Sequence, residues 1–310
     1  MQISISDSKK IKLRRNTGRW ITAIFRFILI FGLGFIILKP FISKLTLSFM
    51  GDLDFLDSTV KMIPRRPSLH MWKFTFENMH MPQSLINSVI LSLSVALLQL
   101  ITSTLVGYGL ARFKFRGRSL AFAFVIAIML VPYQVISIAQ YTGFSSVVVG
   151  EWHVSDSFLP LMLLSFCGLG LKEGLYIYLI RENFKMLPDS IEEAAYIDGA
   201  GVFRTFWQVM LPNLRTIMVT VFLFGFCWQW TDNTYTTLYL RDTKVFSTIL
   251  NADSVTFRYF RLNSNFVDWT RTQIAWGIAS LIIMIPLLFL FGLCQRFFIK
   301  SISQAGLSNT

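Results

Sequence analysis

A chain of 310 residues that is 54% hydrophobic and only 15% charged carries too little charge for a soluble domain of its length. Its net charge of +12 would suit nucleic acid only on a soluble basic face, but the basic residues here lie between apolar runs, so that class is excluded. Three cysteines (Cys167, Cys227, Cys294) and three histidines (His70, His80, His153) lack metal-type spacing, so no metal site is expected.

Residues 1–19 form a basic tail. The apolar run from Ile21 is too long for a signal-peptide core, and no small-x-small cleavage site follows it. The first membrane span is therefore read at Trp20–Leu38, with Arg26 snorkelling at one end. A long loop, Lys39–Leu85, carries Pro64, Pro67 and Pro82. The second span, Ile86–Leu110, is rich in Ser92, Ser94, Gln99, Thr102, Ser103 and Thr104. Such a face suits helix packing or a polar pathway better than lipid, which makes Gln99 a candidate pathway residue. Leu120–Ile138, Leu159–Ile180, Leu214–Trp230 and Ile274–Phe297 complete six spans, followed by the tail 298–310. These lengths suit a hydrocarbon core of about 30 Å. The expectation is an all-α polytopic membrane protein with one six-span domain over 20–297.

With both termini in the cytoplasm, the inner segments hold 15 Lys and Arg against 11 in the much longer outer loops. Basic density is then higher inside, which fixes the orientation. The third outer loop, Thr231–Gln273, carries Phe257, Tyr259 and Phe260 and is long enough to meet an external partner.

Lys172 and Glu173 fall deep in the fourth run, where charge is costly and invites a functional reading. Two readings stand. They line a polar pathway or pair internally, or the fourth helix begins near Leu171, with Leu159–Gly170 a re-entrant or outer segment, as Gly168 and Gly170 would allow.

The inner segment Leu187–Pro212 reads LPDSIEEAAYIDGAGVFRTFWQVMLP, two short helices with a break. Asp189 is placed to cap the first, with Glu192 completing a capping-box pair. Gly199 and Gly201 supply the turn, and Phe203, Phe206, Trp207 and Met210 give the second stretch an apolar face. Pro212 suits the first turn of the next span. On pattern alone, an interfacial amphipathic connector is an equal reading.

The spacing Glu193-Ala194-Ala195, Gly199, Val209, Leu211-Pro212 resembles the EAA loop of binding-protein-dependent ABC importer permeases, with Val209 where isoleucine is usual. Asp198-Gly199-Ala200, Asn87-Ser88, Tyr108-Gly109-Leu110-Ala111-Arg112-Phe113 and Val131-Pro132 resemble the carbohydrate branch, the MalG-like permeases. The likeness runs from about Asn87 to Tyr239. It departs at Thr216, where a second proline is common, and at Trp230-Thr231-Asp232, where Trp-Asn is common.

The resemblance implies a type I ABC importer permease fold in a bacterial inner membrane. It implies that Glu193, Ala194, Ala195, Asp198, Gly199, Leu211 and Pro212 couple the chain to a cytoplasmic ATPase. It further implies a second, MalF-like permease, two ATPase subunits that hold ATP and Mg²⁺, and an extracytoplasmic solute-binding protein. The chain itself lacks GxxxxGK[ST], so it is expected to carry no cofactor and no catalytic residue. The rivals are the same architecture moving phosphate, amino acid or peptide, and a membrane enzyme built on Lys172, Glu173 and Asp232. A secondary transporter would need repeats that the sequence lacks.

Overall fold

The computed structural model describes residues 5–51, 54, 57, 59–78, 80–149, 152–240, 243, 245–249 and 268–307. They form two compact units, Met1–Thr75 with Asn265–Leu281, and Phe76–Ser264 with Ile282–Thr310.

In the first unit, helix α1 spans Ile5–Leu47. It runs through Pro40 and on past the expected end at Leu38, so the first outer loop is shorter than the apolar run implied. Almost all described side chains of its membrane-length stretch, Thr22–Leu47, are exposed. Such a helix needs lipid or another protein around it. Beyond it, the Asp54 carboxylate accepts from the Arg66 N–H at 2.9 Å, and Trp72 Nε1 donates to Ser48 Oγ at 3.0 Å. Helix α2 begins there (His70–Asn78).

The second unit is organised around α3, Met81–Arg112. This helix starts five residues before the expected span. Pro82 falls in its first turn, where a missing N–H costs nothing. The serine- and threonine-rich side of α3 is buried: Ser88, Ser92, Gln99, Thr102, Ser103 and Thr104 are all 8% exposed or less. Packed on α3 are α6 (Leu159–Phe166), α7 (Glu173–Met186) and α10 (Arg215–Thr231), while α4 (Arg118–Leu130) packs on α7. The crossing of α3 and α7 is close. A Cβ at Gly107 would stand 2.8 Å from Ile180 Cγ2 and 3.1 Å from the Arg181 nitrogen, so only glycine fits there.

The third expected span is not one helix. Pro132 excludes the helical conformation from Val131, and α4 turns by 102° into α5 (Tyr133–Ser145). After a two-residue hairpin (β1, Val148–Val149; β2, Trp152–His153), the chain enters the fourth run. This run is broken too. Helix α6 closes at Gly168 (φ +78°) through Leu169 N–H to Leu164 O, and Lys172 (φ +62°) begins α7. Of the two readings of this run, the one with a separate Leu159–Gly170 segment holds, and a single Leu159–Ile180 span does not. No ion pair joins Lys172 to Glu173 among the described residues.

The fifth span, α10, lies where the apolar run placed it. Asp232, which follows it, accepts from Thr236 N–H and Oγ1 at 2.8 Å each and so holds the start of α11 (Thr234–Tyr239). Next comes α12, Phe246–Ile249, whose Phe246 N–H donates to Ser88 Oγ at 2.8 Å. Phe257, Tyr259 and Phe260 lie outside the described residues. The sixth span falls within α13, Asp268–Leu307. By length and apolarity, three described helices suffice to cross a membrane, and five if each bent pair counts as one.

Candidate functional site

Two features of the second unit have functional chemistry. One is the segment 187–212 and the other is a cavity deeper in the helices.

The segment forms α8 (Asp189–Ile197) and α9 (Val202–Asn213), the latter with a π-helical turn at Phe206–Met210. Helix α8 ends because Gly199 takes φ +79°. Gly199 N–H then bonds Tyr196 O at 3.0 Å, and Ala200 N–H reaches Ala195 O at 2.9 Å, closing the last turn. Gly201 has φ −74° and only starts α9.

The expected capping box is absent. Pro188, not Asp189, holds the capping position of α8, and no side chain caps it. The two carboxylates are drawn instead to the end of α3. Arg112 pairs with Asp189 Oδ1, and its Nε lies 3.6 Å from Glu192 Oε2. Its Nη2 also donates to the Phe184 and Leu187 carbonyls, at 2.8 and 2.7 Å. Both lie at the end of α7, where Phe184 O also accepts the Leu187 N–H at 3.3 Å. Tyr108, one turn earlier, donates its hydroxyl to Glu192 Oε1 at 2.9 Å. One buried guanidinium thus joins α3, α7 and α8.

Beneath it, Tyr108, Phe184, Phe206, Met210, Leu211 and Leu214 form a buried core, with Ile191 packed on its edge. The expected apolar face of α9 is divided. Phe206 and Met210 enter this core, whereas Phe203 and Trp207 are 83% and 66% exposed. The π turn, with its extra residue per turn, separates the two sets around the axis. Pro212 does not start the fifth span. It lies in the last turn of α9, and a 79° bend at Leu214 follows before α10.

Among the sequence-predicted coupling residues, Ala195 and Leu211 are buried. Glu193, Ala194, Asp198, Gly199 and Pro212 are exposed. Glu193 makes no bond among the described residues. Sequence reasoning missed Tyr108 and Arg112 as the residues that hold the segment. The available signal was an arginine closing an apolar span beside a loop rich in acids.

The cavity, of about 300 Å³, lies where both broken spans break. Its wall includes Pro132, Tyr133 and Gln134 at the start of α5, Leu169–Gly170 and Lys172–Glu173 before α7, and Tyr235 of α11. Its depth follows from helix lengths. Helix α4 has 13 residues and α7 has 14, counted from the end that carries 187–212. At 1.5 Å per residue, each places the cavity about 20 Å from that end. Gln99 lies at the same level on α3 and supports the break. Its Nε2 donates to Leu171 O at 2.9 Å, and Thr102 Oγ1 donates to Phe166 O at 3.0 Å. The polar side of α3 therefore satisfies carbonyls freed by the α6–α7 break. Gln99 itself is 1% exposed.

The family model for "binding-protein-dependent transport system inner membrane component" matches residues 103–304. The chain belongs to this family. Among curated proteins it is similar to the melibiose/raffinose/stachyose import permease protein MelC of Bacillus subtilis. The two are 28% identical over 86% of this chain and 90% of that protein. It is also similar to the probable starch degradation products transport system permease protein AmyC of Thermoanaerobacterium thermosulfurigenes, at 28% identity over 63% and 68%. Its fold matches a chain in the crystal structure of a bacterial ABC transporter involved in import of the acidic polysaccharide alginate. The TM-score is 0.70 at 18% identity, covering 96% of this chain and 99% of that one.

Proposed function

We propose that this chain is one of two permease subunits of an ATP-driven importer for a sugar or oligosaccharide in a bacterial cell membrane. It crosses the membrane six times over 20–297, with the tails 1–19 and 298–310 and the segment 187–212 in the cytoplasm. The observation that carries the reading is the form of that segment. It is held to the spans by Arg112 and Tyr108, yet it presents Ile197, Phe203 and Trp207 outward at 85%, 83% and 66% exposed. An apolar patch of that kind, rimmed by charge, marks a protein interface. Its partner in this reading is a cytoplasmic ATPase, which binds ATP and Mg²⁺ and does the hydrolysis. Closure of two ATPases displaces α8, and Arg112 carries that displacement into α3 and α7 and hence to the cavity that the start of α7 lines. Glu193, Ala194, Asp198 and Gly199 are the contact and turn residues. Ala195 and Leu211 anchor them, with Pro212 next to the bend. Lys172 and Glu173 line the pathway.

Sugars are favoured as substrate because MelC and AmyC, the curated relatives above, are named for sugar transport. Affinity purification of the tagged chain in mild detergent is expected to recover a second permease and an ATPase. A homodimer that transports unaided would refute the assignment. The orientation is tested separately. Ser190 is exposed on α8, so Ser190→Cys in a background without Cys167, Cys227 and Cys294 should react with an impermeant thiol reagent only after permeabilisation. Reaction from outside intact cells would invert the topology.

A further inference from the structure

The backbone and the helix dipole both oppose the placement of Lys172. It adopts φ +62°, a left-handed conformation that non-glycine residues rarely take. It occupies the N-terminal end of α7, where the helix dipole disfavours a cation. It lies about 20 Å along the helices from the loop-bearing end, within the depth of a membrane. A charge at that depth invites a functional reading.

No carboxylate neutralises it among the described residues. Glu173 lines the same cavity, but it is 0% exposed, its oxygens bond nothing, and no ion pair joins it to Lys172. What holds the ammonium is aromatic. Nζ lies 5.0 Å from the Trp228 ring centroid and 5.6 Å from that of Tyr133. Ring faces orient a cation without cancelling its charge. Tyr133 in turn stacks on Tyr235 with centroids 5.7 Å apart and planes at 24°, and Tyr235 donates to Gln140 Oε1 at 2.8 Å. The Tyr133 ring is therefore fixed. Lys172 remains exposed on the wall of a cavity of about 300 Å³, beside the exposed amide of Gln134.

A rigid aromatic wall suits the apolar face of a pyranose ring, an amide suits its hydroxyls, and an unneutralised ammonium suits an anionic substituent. We infer that Lys172, with Tyr133 and Trp228, forms an anion subsite in the pathway, and that the transported sugar is acidic, bearing a carboxylate or phosphate group. This deepens the carbohydrate reading above and rests on it.

The test is uptake by proteoliposomes that contain the complete complex with its cognate binding protein. Three probe sets are used: neutral oligosaccharides, the same sugars carrying a uronic acid unit, and sugar phosphates. An acidic set should be transported at least tenfold faster than the neutral one, and the set that moves identifies the anionic group. Lys172→Gln should lower acidic uptake about tenfold, with the second permease and ATPase still co-purifying, and Lys172→Arg should restore most of it. Three results would overturn the inference: uptake of neutral sugars alone, acidic uptake unchanged in Lys172→Gln, or loss of the second permease in that variant, which would make Lys172 an intersubunit contact. Uptake of neutral sugars alone leaves the carbohydrate reading standing. Uptake of no sugar in any set removes both.

Discussion

Arg112→Ala is expected to abolish ATP-driven uptake while the chain still inserts in the membrane. Four groups contact the guanidinium, and they differ in weight. The Asp189 side chain is 82% exposed, so its pair with Arg112 is screened and adds at most about 1 kcal/mol. The Glu192 side chain is only 12% exposed, and the Arg112 side chain is 8% exposed. Removing the cation leaves a nearly buried carboxylate with the Tyr108 hydroxyl as its remaining donor, which costs about 1–3 kcal/mol. It also removes the donor to the Leu187 carbonyl, at roughly 1–3 kcal/mol if that oxygen stays dry, whereas Phe184 O keeps the Leu187 N–H. The combined loss is enough to release α8 from α3 and α7, yet no membrane-core contact is lost. Hydrogen exchange across 187–212 should rise in the variant, and uptake should fall to background. Arg112→Lys is expected to recover little, because an ammonium lacks the planar fork that meets two carbonyls and a carboxylate together. Tyr108→Phe, which removes one bond to Glu192, should be milder, at about 1.5–3 kcal/mol. Normal uptake with unchanged exchange in Arg112→Ala would show that the segment does not depend on this residue.

Glu193→Lys is expected to separate ATP hydrolysis from uptake by a different route. Glu193 is exposed and bonded to nothing among the described residues, so its reversal leaves the fold of α8 intact. The effect falls on the docked ATPase. A reversed charge in a buried contact costs on the order of 2–5 kcal/mol, or 30-fold or more in association. Gly199→Val acts inside the segment. Nothing lies within 4 Å of a Cβ built at Gly199, so no clash arises. The cost is the left-handed backbone alone, about 1–2 kcal/mol for a non-glycine residue and at the upper end for a β-branched one. Glu193→Lys should therefore lose the ATPase in a pull-down with little change in hydrogen exchange, whereas Gly199→Val should raise exchange at the end of α8 first. If both variants retain wild-type uptake and ATPase association, 187–212 is an interfacial connector and not a coupling element.

Much of this was legible in the chain. Apolar runs placed α3, α10 and α13, because a bilayer-length helix needs only composition to announce itself. The two-helix form of 187–212 was legible because its turn is a local matter of Gly199. The motif around Glu193 was legible because its spacing is fixed.

What composition could not decide was where a run breaks and where a charge goes. Leu120–Ile138 reads as a continuous span, since apolar side chains do not record a 102° turn, and in Leu159–Ile180 a break near Leu171 is only one of two readings. Pro132 marked the first break, but proline also sits within α1 at Pro40 without ending that helix. The α6–α7 break is tolerable only because Gln99 and Thr102, about 70 residues away, supply the donors that its carbonyls need. The same holds for Asp189 and Glu192. Local pattern assigned them to cap their own helix, a bond within four residues. The fold instead offered a buried guanidinium 77 residues before Asp189 in the chain, and a charge-assisted partner outcompetes a neutral backbone N–H, most of all at the nearly buried Glu192. Spans and turns depend on neighbours in sequence. The join between α8 and the membrane helices, and the cavity about 20 Å farther along those helices, depend on neighbours in space, which only the packed structure brings together.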